Sequence, residues 1–183
     1  MQMPRMTDAD TGYRVALGDS PRRIVLPRFP NPVDEVSARL VAAGVVLIAA
    51  LFLLTCWTWL LALLAYGFVA RAAAGPTFSP LGQLVTRVLR PRLRLAPRYV
   101  AGPPKRFAQA IGATLSCAAL ALQVLGQHEV ATALIGVLAV FALLESALAF
   151  CAGCRIFALL IRAGLVPAAV CAECANIGLR RTA

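Results

Sequence analysis

The chain has 183 residues, of which 60% are hydrophobic and 14% charged, and it carries a formal net charge of +10 with positive mean hydropathy. That balance lies outside the range of soluble domains and points to one compact membrane domain. The basic residues fall between hydrophobic stretches instead of along an aromatic-studded surface, so the charge reports membrane topology and argues against nucleic acid as a partner.

The first 35 residues hold five basic and five acidic side chains, with Pro4, Pro21, Pro27, Pro30 and Pro32 among them. They lack the apolar stretch of a signal peptide, so residues 1–30 read as an irregular cytoplasmic arm and the first hydrophobic helix is expected to be retained. Asn31-Pro32-Val33-Asp34-Glu35 forms a helix start, with Asn31 as cap, Pro32 in the first turn and two acids against the positive end of the dipole. From Leu40 to Ala70 there is no charge. As a single helix this stretch would be roughly 46 Å long, too much for about 30 Å of hydrocarbon, so two helices are expected. Their turn falls at Thr55-Cys56-Trp57-Thr58-Trp59, where the tryptophans suit the outer interface.

Residues 71–106 contain Arg71, Arg87, Arg90, Arg92, Arg94, Arg98, Lys105 and Arg106 and no acid. An excess of that size on one loop places it in the cytoplasm. Within it Ser79-Pro80 starts a short amphipathic helix carrying Leu81, Leu84, Val85, Val88 and Leu89 on one face, suited to the inner leaflet. Phe107 to Gly126 is the third span, and its many small residues allow close helix approach. Gln127-His128-Glu129 forms a short outer loop. The fourth span runs from Ala131 to Phe150 and contains Glu145. The fold class is therefore an all-α membrane protein: a four-helix membrane domain over residues 31–165, with an interfacial amphipathic helix in the cytoplasmic loop and a cytoplasmic tail at 166–183. Both termini are expected in the cytoplasm, and the membrane is the cell's inner (plasma) membrane.

Four of the six cysteines form two Cys-x-x-Cys pairs, Cys151/Cys154 and Cys171/Cys174. The first sits where the fourth span meets the cytoplasmic interface, and residues three apart on a helix share a face, so the sulfurs can meet. A helix break at Gly153 would put the pair at the start of a new helix from Arg155 to Leu165, where the dipole and Arg155 favour thiolate. The bland alternative is that these are small buried side chains at a helix contact. Sixteen residues separate the two pairs, the spacing of four-thiolate zinc sites, although the intervening segment reads as a hydrophobic interfacial helix and not as a polar ribbon. An ionisable Glu145 inside the membrane is a second functional candidate; the competing reading is an ion pair with Arg39, Arg71 or Arg106 that locks the bundle. Cys56, Cys117 and His128 read as packing residues. No phosphate-binding glycine loop or hydrolase triad is present.

Four segments together carry a resemblance. They are Asn31-Pro32-Val33-Asp34-Glu35 with Arg39; Ser79-Pro80-Leu81 followed by Arg90-Pro91-Arg92; Pro103-Pro104-Lys105-Arg106-Phe107-Ala108-Gln109-Ala110-Ile111-Gly112; and Glu145 to Cys154. Over roughly residues 31 to 165 the chain resembles DUF4395, a domain-of-unknown-function family of bacterial membrane proteins common in actinobacteria. Members are often encoded near thioredoxin-like proteins and sulfurtransferases, which implies thiol or sulfur handling and such proteins as partners. The layout is also similar to DoxX- and MauE-type membrane proteins, at the level of fold alone. Two functions follow as expectations, and a third, transport of a small sulfur anion past the arginine-rich inner face, rests on charge alone. One is a thiol-redox or sulfur-relay protein using Cys151 and Cys154, with Glu145 at the site. The other is an accessory subunit of a larger membrane complex, whose Cys151, Cys154, Cys171 and Cys174 bind zinc.

Overall fold

Asp34 starts the first helix because its side chain satisfies donors that a helix end leaves orphaned: its carboxylate accepts the backbone N–H groups of Val36 and Ser37, each at 3.3 Å. The computed structural model describes residues 33–93, 96, 98–167 and 170. The expected cap Asn31 and Pro32 lie outside those residues, and Asp34 takes the capping role. A two-residue strand, β1 (Val33–Asp34), precedes helix α1 (Glu35–Thr55) and pairs antiparallel with β2 (Tyr99–Val100). Asp34 also accepts from the Arg90 guanidinium at 2.6 Å and the Ser37 hydroxyl at 2.7 Å. Burial opposes its ionisation, but Ser37 and Arg90 outweigh that and hold its carboxyl below the ordinary value. The start of α1, the basic loop and the approach to the third span are thereby tied at one point.

Four helical segments are long and apolar enough to cross a membrane: Glu35–Thr55, Thr58–Leu93, Gly102–Val124 and His128–Leu148. The chain is a multi-pass membrane protein. Exposed side chains such as Leu47, Leu54 and Leu148 point outward from the bundle, which suits lipid and not water. The first hydrophobic stretch does divide into a hairpin. Helix α1 ends at Thr55, Cys56 takes a left-handed conformation at φ 54° while its N–H bonds to the Phe52 carbonyl at 2.7 Å, and α2 (Thr58–Ala74) follows. No glycine marks this turn because a cysteine occupies the left-handed position.

Beyond α2 the chain turns through Gly75–Thr77 and re-enters a helix at Pro80, with the Ser79 hydroxyl accepting from the Gly82 N–H. Helix α3 (Pro80–Leu84), a wider turn over Val85–Leu89 and α4 (Arg90–Leu93) make the expected amphipathic loop helix. It packs into the groove between α1 and α2, with Leu81 against Gly44 and Val85 fully buried. Helix α5 (Gly102–Val124) and α6 (His128–Leu148) complete the bundle. His128 and Glu129 open α6 instead of forming a loop. Helix α5 packs on α2, α6 and the terminal helix α7 (Ala152–Arg162), while α1 packs on α6 and α2.

The interior is divided. Near the Trp57/Trp59 turn it is mainly apolar, built from Phe52, Leu60, Leu61 and Ile135 with Ala49, Ala119 and Ala131 fully buried among them, and Gln123 is a buried polar side chain on the last turn of α5. At the opposite end, which carries the arginine-rich loop, the interior is polar. Cys56 and Cys117, read from sequence as packing residues, are exposed on the bundle surface.

Candidate functional site

Helix α6 stops because Ala149 turns left-handed at φ 54°, three to four residues before the expected break at Gly153. Cys151 is extended and caps α7, so Cys154 lies in the first turn of that helix. Helix α7 ends at Arg162, and Gly164 is left-handed at φ 74°, so the helix expected to continue to Leu165 stops short of it. Gly153 lies inside α7 and meets α5 directly: a Cβ on it would stand 2.6 Å from the Cβ and 2.7 Å from the Cα of Ala108. The aromatic pair Phe107 and Phe157, with ring centroids 5.5 Å apart, extends that contact. Close backbone approach and an aromatic clamp fix the start of α7 against the start of α5.

This placement brings the sulfurs of Cys151 and Cys154 to 2.8 Å, with the Cys154 thiol donating to Cys151. Both are half-buried. The hydrogen bond from Cys154 lowers the Cys151 thiol below its ordinary value; burial and Glu145 oppose this, and the Lys105 ammonium and the Cys154 backbone N–H support it. The same hydrogen bond, then burial, pushes the Cys154 thiol up. Cys151 is thus the sulfur that ionises first, and Cys154 holds the shared proton.

Glu145 pairs with Lys105, and both side chains are largely buried, at 16% and 10% exposure. The expected partners are occupied elsewhere. Arg39 donates to the carbonyls of Ser146 and Ala147 at 3.0 Å, and Arg106 donates to the Ala72 carbonyl at 2.9 Å, so each binds the carbonyl end of a helix where the dipole is negative. Arg71 is buried at 5% exposure. It donates to Gln109 Oε1 and Ser79 Oγ, each at 2.9 Å, and lies 4.5 Å above the Phe68 ring. Gly112 makes room for that ring, since a Cβ there would overlap Phe68.

Cys151, Glu145, Arg71 and Gln109 line one cavity of about 110 Å³ among α1, α2, α5, α6 and α7, its other walls mainly apolar. The sequence reading singled out Cys151, Cys154 and Glu145, and the structure brings these three together. It missed Lys105, Gln109 and Ser79; Arg71, named as a partner for Glu145, shares the cavity with it without forming the ion pair. One signal was available: Lys105 and Gln109 are four apart and so share a face of α5. Cys171 and Cys174 lie outside the described residues, and among the described residues no three His, Cys, Asp or Glu side chains converge on a metal position.

A family model described as a domain of unknown function (DUF4395) matches residues 33–162. The chain belongs to the DUF4395 family. The matched stretch includes every residue of the cluster just described and ends before Cys171 and Cys174. No curated protein and no solved structure matches the chain.

Proposed function

We propose that this DUF4395 protein is a membrane thiol-redox or sulfur-relay protein whose working pair is Cys151 and Cys154. The observation that carries the reading is the pair's setting: two sulfurs 2.8 Å apart at the start of a helix, beside the Lys105 ammonium and opening on a cavity. In the forward step the Cys151 thiolate attacks a disulfide of a thioredoxin-like partner, forming a mixed disulfide and releasing one partner thiolate. Cys154 loses its proton and attacks Cys151, the second partner thiolate leaves, and an intramolecular disulfide remains. Two electrons pass to the partner, and the one proton given up by Cys154 goes to a partner thiolate or to solvent. In a sulfur relay the same thiolate attacks the outer sulfur of a sulfurtransferase persulfide, which forms a Cys151 persulfide as the old S–S bond breaks and the sulfurtransferase thiolate leaves. The arginine-rich segment 71–106 supports a cytoplasmic face for this end of the bundle and an inner (plasma) membrane orientation with both termini inside.

The test is trapping. Cys154→Ala leaves the nucleophile without its resolving thiol, so an adduct with a thioredoxin-like protein is expected on non-reducing gels and should vanish on reduction; Cys151→Ala should give none. Alanine keeps helix propensity and costs about 1 kcal/mol or less there. If neither variant yields an adduct, and purified protein holds one zinc with all four thiols of Cys151, Cys154, Cys171 and Cys174 protected, the redox reading is wrong and the zinc-bound accessory subunit replaces it.

A further inference from the structure

The cluster at the basic end does not balance its charge. Lys105 pairs with Glu145, which also attracts Arg71 from the wall of the same cavity without forming an ion pair with it; the direct partners of Arg71, buried at 5% exposure, are the neutral Gln109 and Ser79 and the Phe68 ring. A guanidinium has five N–H donors. Two are used by Gln109 and Ser79, and the other three have no acceptor among the described residues. Two buried cations thus share one carboxylate, and a cation with spare donors and no ion pair of its own is disfavoured unless something negative meets it.

We propose that the cavity lined by Arg71, Gln109, Glu145 and Cys151 is a binding site for a small monovalent anion, anchored on the Arg71 guanidinium. Size sets the first limit. A space of about 110 Å³ has room for a small anion of a few heavy atoms beside the guanidinium. Charge sets the second. Arg71 and Lys105 against Glu145 leave one net positive charge, which one monovalent anion neutralises, while a dianion would meet the Glu145 carboxylate on the same wall. Gln109 sets the polarity: its Oε1 accepts from Arg71, which leaves its amide nitrogen as a further donor beside the guanidinium. A second cavity on the other side of Arg71, about 190 Å³, has leucines, Val45 and Ile48 as its main walls and offers only Ser79 as an additional side-chain donor.

Because Cys151 lines the same space, a bound anion and the Cys151 thiolate compete for one positive charge, and each opposes the other by the same free energy. The site does not depend on the redox reading, since the charge count is unchanged if the sulfurs merely pack.

The probe is nitrate against gluconate in full-length protein at constant ionic strength: both are monovalent, but gluconate is too large for the cavity. Nitrate should slow iodoacetamide alkylation of Cys151 saturably, by about fivefold or more, as expected for ordinary site-to-site coupling, and gluconate should not. Arg71→Gln should abolish the difference. In Cys151→Ala protein nitrate should still raise the thermal unfolding midpoint relative to gluconate, which separates the anion site from any thiol chemistry. Equal behaviour of the two anions in the wild-type protein overturns the proposal, and so does nitrate selectivity that survives in a folded Arg71→Gln. If that variant does not fold, the wild-type comparison decides alone.

Discussion

Replacing Glu145 by leucine keeps most of the side-chain volume and removes the charge that meets the Lys105 ammonium. At about 4 Å and an effective dielectric near 20, two unit charges attract by about 4 kcal/mol, and removing one partner of a buried pair usually costs about 3–5 kcal/mol because the other charge stays behind. The residual exposure of 10% for Lys105 and 16% for Glu145 lets solvent screen the survivor, so a loss near the lower end, about 3 kcal/mol, is expected. Lys105→Met should cost a similar amount. The double variant should recover most of the loss, because two apolar side chains of similar size leave no orphaned charge. Unfolding in mild detergent by denaturant titration measures the cycle. A second readout separates this from packing: Glu145 opposes ionisation of Cys151 and Lys105 favours it, so Cys151 alkylation at neutral pH should speed up in Glu145→Leu and slow down in Lys105→Met. Additive stabilities in the double variant, or alkylation rates that move in the same direction in both singles, would refute the reasoning.

Cys151 alkylation should follow a titration whose midpoint lies below that of an ordinary thiol, and Cys154→Ala should move that midpoint upward, because the largest lowering influence is the hydrogen bond from Cys154. Stopped-flow alkylation across pH reads both, and an unchanged midpoint in the variant would show that the bond does not set the reactivity. Gly153→Val should push α7 off α5, since even a Cβ falls 2.6 Å from that of Ala108; overpacking of this kind costs about 1–3 kcal/mol. Limited proteolysis should then cut nearer to Cys154 than in the wild type, and an unaltered digestion pattern would contradict the contact.

The number and order of the spans were legible in the sequence because a bilayer imposes length and polarity on each helix separately. Residues 40–70 are too long for one crossing, so a hairpin was foreseeable without any knowledge of packing. The loop helix was equally legible from Ser79-Pro80 and the spacing of its apolar residues, and the Cys-x-x-Cys pair from its spacing, although Cys151 is extended at the start of α7 and not on the helix itself. Boundaries were less so. Asp34 caps α1, and the break before α7 falls at Ala149, where a left-handed alanine carries none of the usual turn chemistry. What only the tertiary structure decided is which charges meet. Glu145 has Arg39, Arg71, Lys105 and Arg106 all at the same end of the bundle, and the sequence contains no rule for choosing among them. The choice follows from helix packing: Arg39 and Arg106 are drawn to the carbonyl ends of α6 and α2, Arg71 is held by Ser79 and Gln109 after the loop helix folds back, and Lys105 is left to form the ion pair with Glu145. Local sequence determines where helices can cross a membrane, whereas the pairing of side chains at long range depends on which faces the assembled bundle turns inward.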